Sequence, residues 1–290
     1  MDTPPVIAVI GPVEPELLTA WVDHYRGLGV ERFLLAFHFP GHVPEHRRDE
    51  LKAACEALRT APLAVSTGPW HEHTNTELRD MLRDRAGTGW HLLADADEFH
   101  AYPAPLAEVV AEAEASRTGT VGGLMLDRVS ADGRLTGWSP SPSSGEGLDA
   151  AYPLGGFLTH LLLRGDPRKI VLAHSGVTVD SGNHRAEGHR PVNRPPVVVH
   201  HFKWRRGVRE DLERCAARTA DGSWRTKSPA LLTEARRLLS HLSLHDGRID
   251  VTAPDVPFRP VSLQKTPPWW PEEATRLAAT WRPARRSPAR

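Results

Sequence analysis

The sequence predicts an α/β fold built around a mostly parallel β-sheet. Strand and helix patterns alternate between residues 6 and 95 with short connections, in the order β-α-β-α-β-α-β. This alternation is typical of parallel sheets that are covered by helices. In addition, Asp95, Asp97 and Glu98 follow the fourth strand pattern directly. Ligands of such sheets bind at the carboxyl ends of the strands, so the carboxylates mark a candidate site.

The spacing of apolar residues, together with the residues at which each run ends, predicts the elements of this first half. Residues 6–11 are a short β-branched apolar run that stops at Gly-Pro, which predicts a buried strand. Residues 15–29 carry apolar side chains at helical spacing and end at Gly29, a C-cap signal. The same reasoning predicts strands over 31–39, 62–67, 90–95 and 120–129 and helices over 49–60, 73–86 and 105–116.

The pattern changes in the second half. Residues 138–150 are rich in Pro, Ser and Gly, which predicts a mobile loop. Three apolar stretches follow without long helices between them, so we expect strands in antiparallel or mixed pairing. They cover residues 156–163, 169–184 and 195–204, and helical patterns then cover 207–219 and 229–243.

Composition and charge argue against several classes of protein. The chain has 290 residues with 36 basic and 36 acidic side chains, and this zero net charge gives no general reason to bind nucleic acid or an anionic membrane. Cys55 and Cys215 make no disulfide framework, and no CxxC pair indicates structural zinc. The N-terminus lacks the pattern of a signal peptide, and no apolar stretch approaches the roughly 20 residues of a membrane span. We therefore expect a cytoplasmic protein.

Residues 90–100, WHLLADADEFH, carry the strongest functional signal. Three carboxylates within four residues disfavour one another's ionisation, and burying them without a positive partner is costly. A divalent cation is the simplest partner, because Mg²⁺ and Mn²⁺ prefer carboxylate oxygens and keep substrate phosphates in their shell. The alternative is a solvated turn beside a helix N-terminus, and the sequence favours neither.

Four stretches, in this order, resemble glycosyltransferase family 2. They are AWVDHYRGLGVERFLL (20–35), GWHLLADADEF (89–99), KIVLAHSGVTVDSGNH (169–184) and VVVHHFKW (197–204). They resemble in particular a subgroup with a W-x-x-H-x-x-x-L-G-V opening, a D-x-D-E-F core, a G-x-H segment and a late His-Phe segment. The resemblance implies a GT-A fold, Rossmann-like with mixed C-terminal strands. We expect this domain over 1–206, a helical extension over 207–281 and a disordered basic tail over 282–290.

The family pattern also implies an activity. It implies transfer of a sugar from a nucleoside-diphosphate sugar, UDP-linked more often than GDP-linked, to a small molecule or glycan. The family usually works by a single displacement that inverts the anomeric centre, with Mn²⁺ or Mg²⁺ as cofactor. The acceptor and the oligomeric state are not indicated.

The resemblance assigns roles by position. The residues implied to hold the metal are Asp95, Asp97, His184 and His201. The residues implied to bind the donor are Pro12, Val13, Glu14, Trp70, Asn75, Arg79 and Asp95. Glu98 would lie behind the metal ligands or near the sugar, and it is counted among the candidate catalytic residues.

Two further assignments come from the residues themselves. Asp127 ends a strand and Asp180 precedes a turn, so each is a candidate general base; the alternatives are a surface pair with Arg128 and a simple turn residue. Lys169, with Arg164 and Arg168, is a candidate to hold a diphosphate or an acidic acceptor; the alternative is a solvated basic turn.

Two other functions remain open. A nucleotide-sugar hydrolase or nucleotidyltransferase could use the same site. The stretch HFPGHVPEH (38–46) replaces the acidic segment usual after strand two, and a late Glu-Asp pair is not evident. These departures motivate the second alternative, a non-catalytic carbohydrate-binding protein on a degenerate fold.

Overall fold

A sheet of ten strands organises the described part of the chain. The computed structural model describes residues 3–69, 71–140, 147–188, 195–224 and 230–280. The strands are β1 (Val6–Ile10), β2 (Phe33–Pro40), β3 (Ala64–Gly68), β4 (Trp90–Leu93), β5 (Glu98–Ala101), β6 (Thr120–Val129), β7 (Leu154–Gly156), β8 (Arg168–His174), β9 (Val197–His201) and β10 (Arg259–Pro260). The helices are α1 (Pro15–Gly27), α2 (Glu45–Ala57), α3 (Glu72–Ala86), α4 (Leu106–Ala115), α5 (Leu148–Ala151), α6 (Leu158–Leu161), α7 (Val208–Ala220), α8 (Ala230–Leu244) and α9 (Trp270–Thr280).

The two halves of the sheet differ in strand direction. Strands β3, β2, β1 and β4 lie side by side and are parallel. Strand β8 then runs antiparallel between β4 and β6. Strand β6 also pairs antiparallel with β7 and parallel with β9, and β9 pairs antiparallel with β5. The predicted α/β class is confirmed, with parallel strands in the first half and mixed strands in the second.

The C-terminal segment packs into the same core as the sheet. Strand β10 pairs with β7 at the edge of the sheet. Trp270 of α9 is fully buried against Leu124 and Phe157, and its Nε1 donates to the Pro196 carbonyl at 2.7 Å. Leu238 of α8 joins a second apolar cluster beneath the sheet. The helices that were expected after residue 206 are therefore present. Helix α8 packs in the cluster that contains Val129 of β6, whereas α9 packs against Leu124 and Leu126, on the other face of that strand.

Several elements differ from the sequence expectations. The strand predicted over 156–163 is wrong: β7 ends at Gly156 and the short helix α6 follows. An apolar run of this length has no period that separates a strand from a buried helix. Helix α5 covers part of the predicted loop 138–150, whose residues 141–146 lie outside the described residues, as does the predicted tail. Strand β5, inside the acidic segment, was not predicted.

The described helices include none that is long and apolar enough to cross a membrane.

The close packing around β6 makes a testable prediction at Gly123. A Cβ at this position would lie 2.8 Å from Val199 Cγ2 and 3.0 Å from the Val197 carbonyl oxygen. Overpacking of this kind costs about 1–3 kcal/mol, so Gly123→Ala should lower the free energy of unfolding by that amount in urea titrations. Gly41→Ala is the control, because a Cβ there meets nothing within 4 Å. Equal stability of the two variants would contradict this packing.

Candidate active site

A cavity of about 1030 Å³ opens at the carboxyl ends of β1 and β4. Pro12 and Val13, which follow β1, and Asp95 and Asp97, which follow β4, contribute to its walls. The position is the one that the parallel half of the sheet predicts for a ligand site. The acidic segment therefore lines a cavity large enough for a nucleotide-sized ligand.

The positive partner of the acidic segment is Lys169 of β8. Its Nζ donates to Asp95 Oδ2 at 2.9 Å, to Glu98 Oε1 at 2.6 Å and to the Gly182 carbonyl at 2.9 Å. An ammonium has three N–H donors, so all of them are used. The Lys169 side chain is 4% exposed. The prediction that Lys169 binds a diphosphate is therefore wrong, because its charge is already committed to two carboxylates.

This ion cluster sets the protonation of its members. Burial raises the pKa of Glu98 to about 7. Burial alone would also raise the pKa of Asp95, but the Lys169 ammonium lowers it. The two carboxylates raise the pKa of Lys169 despite its burial. Asp95 is therefore a stable carboxylate, and Lys169 a stable cation, at neutral pH.

Glu98 lines the cavity but is almost completely buried. It is 1% exposed, and its Oε2 accepts a hydrogen bond from the Asp95 backbone N–H at 3.3 Å. It therefore positions Asp95 and Lys169. These contacts agree with the expected position of Glu98 behind the metal ligands, and its part in catalysis stays a prediction.

One face of α1 holds the backbone of the acidic segment. Trp21 Nε1 donates to the carbonyls of Asp95 and Glu98, both at 3.0 Å, and the Tyr25 hydroxyl donates to the Glu98 carbonyl at 3.0 Å. His24 Nε2 lies 2.9 Å from the His100 carbonyl. Positions i, i+3 and i+4 share a helix face, which explains the W-x-x-H-Y spacing of the sequence.

Asp97 is the carboxylate of this segment that no lysine or arginine in the described ranges neutralises. Its Oδ2 lies 3.9 Å from Nε2 of His201, at the end of β9. The other ring nitrogen of His201, Nδ1, donates to Asp127 Oδ1 at 2.9 Å. A neutral ring held in this way carries its free lone pair on Nε2, the atom that faces Asp97.

Asp127 is enclosed and does not reach the cavity. It is fully buried and accepts from the Thr159 N–H at 2.6 Å, the Thr159 hydroxyl at 2.8 Å and Trp204 Nε1 at 2.8 Å, in addition to His201. The prediction that Asp127 is the general base is therefore wrong. Its carboxylate orients His201 instead.

His184 lines the same cavity and is neutral at pH 7. Burial and the nearby Lys169 charge lower the pKa of His184 to about 4. Its Nδ1 lies 2.8 Å from the Arg168 carbonyl and donates to it. The remaining ring nitrogen, Nε2, is therefore a lone-pair donor.

The residues fit a divalent cation whose coordination shell is completed by a substrate. Within the described parts of the chain, no group of three or more His, Cys, Asp or Glu is placed to hold a metal by itself. Magnesium-type sites commonly use one or two protein ligands together with waters and substrate phosphates. Two bonds of about 2.1 Å span up to about 4.2 Å, and the Asp97–His201 separation of 3.9 Å lies within this reach.

Arg79 serves the structure of the cavity wall. Its five N–H donors bind the Asp80 carboxylate, the Val179 and Asp180 carbonyls and the Asn183 side chain, at 2.5–3.0 Å. No donor of Arg79 is left for a phosphate, so its predicted donor contact is wrong. Arg79 instead fixes the turn that carries Gly182, the third acceptor of Lys169.

The remaining predicted residues divide into three groups. Pro12, Val13 and Asn75 line the cavity, as does the exposed Asp180. Glu14 forms an ion pair with Arg205 at 2.9 Å and does not line the cavity. Trp70 lies outside the described residues.

Several charged residues that line the cavity have no role assigned by the sequence, namely Lys203, Glu234, Asp166, Arg185 and Asp211. Lys203 follows His201 by two positions, and its Nζ lies 5.3 Å from the centre of the Trp204 ring. Glu234 comes from α8. The position of Lys203 beside His201 was a usable signal, whereas nothing in the local sequence around Glu234 marks it.

Comparison with known proteins gives no assignment from sequence, since no model of a protein family and no curated protein matches the chain. Among solved structures, the 1–349 fragment of TarS from S. aureus is 10% identical, with 83% of this chain and 72% of that fragment covered and a TM-score of 0.32. A mannosyltransferase from Pyrobaculum calidifontis, solved with GDP-Man and Mn²⁺, is 15% identical. The match covers 84% of this chain and 76% of the mannosyltransferase chain, with a TM-score of 0.39. A UDP-glucose pyrophosphorylase solved with UDP-glucose is 10% identical. The match covers 81% of this chain and 88% of the pyrophosphorylase chain, with a TM-score of 0.27.

The buried ion cluster predicts a large effect of Lys169→Met. Removing one partner of a buried ion pair costs about 3–5 kcal/mol, because the remaining charge loses its compensation. The free energy of unfolding should fall by this amount, and adding Glu98→Gln should restore part of it. Lys52→Met is the matched control, because its pair with Asp49 is exposed and should change stability by less than about 1 kcal/mol. Equal losses in the two single variants would contradict the cluster.

Proposed function

We propose that the protein is a glycosyltransferase that uses a nucleoside-diphosphate sugar and a divalent cation, Mn²⁺ or Mg²⁺. The observation that carries the proposal is the pair of Asp97 and His201 in the cavity lining, where Lys169 pairs with the two neighbouring carboxylates and not with Asp97. A free carboxylate beside an oriented imidazole is a donor set that suits Mn²⁺.

The residues of the site would divide the work as follows. Asp97 and His201 would hold the cation, which when bound would stabilise the charge that develops on the leaving diphosphate. Arg164 and Lys203 line the cavity, and neither pairs with a carboxylate within the described ranges. Their charges would bind the diphosphate. Pro12, Val13 and Asn75 would contact the rest of the donor.

Direct displacement with inversion, and a UDP-linked rather than GDP-linked donor, are part of the proposal and rest on the sequence resemblance. Products separate this proposal from its alternatives. A glycosyltransferase releases the nucleoside diphosphate and moves the sugar to an acceptor, a hydrolase releases free sugar, and a nucleotidyltransferase releases pyrophosphate.

Calorimetric titration of UDP and GDP, each with and without Mn²⁺, tests the nucleotide and metal site. We expect Mn²⁺-dependent binding of one of the two nucleotides. Asp97→Asn should weaken this binding at least about tenfold, because one metal ligand is removed.

Asp49→Asn is the control, because it changes an exposed carboxylate of α2 outside the cavity. Absence of nucleotide binding by the folded wild-type protein would reject the proposal. Binding that is unaffected by both Mn²⁺ and Asp97→Asn would reject the assigned metal site.

A further inference from the structure

Glu234 brings a carboxylate into the cavity from the C-terminal helices. It lies on α8 and is half-buried. Its Oε1 packs close to the backbone at Gly165, where an added Cβ would lie 2.8 Å from that oxygen and 3.1 Å from Thr159 Cγ2. Glu234 therefore lies close to Thr159, the residue that donates two hydrogen bonds to Asp127.

The surroundings of Glu234 favour proton uptake. Within the described parts of the chain, no hydrogen-bond donor or cation pairs directly with its carboxylate. Burial raises the pKa of Glu234. The charged groups that act on it are Lys203, Asp127, Arg237 and Asp166, of which the two cations lower the pKa and the two acids raise it.

The other carboxylates of the site are less suited to accept a proton from a substrate. Glu98 is bound to Lys169, and Asp127 is enclosed by four donors. Asp180 remains a competitor. It belongs to the turn that Arg79 and Lys169 hold beside Asp95, whereas Glu234 lines the cavity from α8, next to Gly165.

We propose that Glu234 is the general base that activates the acceptor hydroxyl, an inference that rests on the proposed function. Its carboxylate takes the proton of the hydroxyl as the acceptor oxygen forms a bond to the anomeric carbon. The bond from this carbon to the diphosphate oxygen breaks, and its electron pair leaves with the nucleoside diphosphate. Glu234 then gives the proton to water. The acceptor accordingly binds between α8 and the metal site.

The test uses water as the acceptor, because a base that activates a hydroxyl also activates water. The probe is UDP-glucose or GDP-mannose, according to the nucleotide that binds, and release of the nucleoside diphosphate is measured at saturating donor with Mn²⁺. Glu234→Gln should slow this release by about 10²-fold or more, with the Kd of the nucleotide changed less than about twofold and the melting temperature retained. Glu213→Gln, an exposed carboxylate of α7, is the control and should change neither.

Two readouts separate a base from a structural residue. The rate of the wild-type enzyme should fall at acidic pH as Glu234 is protonated, and this limb should be absent in Glu234→Gln. Azide needs no proton removal, so it should restore release of the nucleoside diphosphate in Glu234→Ala. A structural defect would not respond to azide.

The outcomes distinguish the two proposals. A wild-type protein that binds no nucleotide with Mn²⁺ rejects the proposed function and this inference with it. A wild-type protein that turns over, with Glu234→Gln within about threefold of it, rejects Glu234 as the base and leaves the function standing. Loss of nucleotide binding in Glu234→Gln, or a larger loss of turnover in Asp180→Asn, also overturns the assignment.

Discussion

The ammonium of Lys169 is the interaction on which the candidate site depends. Two carboxylates, Asp95 and Glu98, and one carbonyl, that of Gly182, converge on it, and it is almost completely buried. Burying the Glu98 carboxylate without a partner would cost several kcal/mol. Lys169 of β8 supplies a compensating charge to Glu98 and to the half-exposed Asp95, whereas no lysine or arginine in the described ranges pairs with Asp97.

A second buried network fixes the other half of the site. Asp127 accepts four hydrogen bonds from three residues: two from Thr159 of α6, one from His201 of β9 and one from Trp204, which follows β9. A buried carboxylate that is fully satisfied holds its partners in one arrangement. The Lys169 cluster thus shapes the Asp97 side of the cavity, and Asp127 sets the orientation of His201. The two proposed ligands meet where these networks come together.

The sequence predicts the first half of the fold well, because strand and helix periods, short connections and end signals agree there. It also places the acidic segment correctly, since the carboxyl end of a parallel strand is a position that a pattern can identify. It does not predict what each charge binds. Lys169 lies 74 residues from Asp95 in the sequence. The hydrogen bonds that occupy Arg79 and Asp127 also come largely from residues far away in the sequence. Glu234 belongs to a helix whose local pattern indicates an amphipathic segment and nothing more.

The most direct test of this account is a crystal structure with Mn²⁺ and the nucleotide that binds, with the metal located by its anomalous scattering. The account predicts a manganese peak within bonding distance of Asp97 and of Nε2 of His201, with Lys169 still between Asp95 and Glu98. A peak bound by Asp95 and Glu98 with Lys169 displaced, or a peak remote from Asp97, would contradict it.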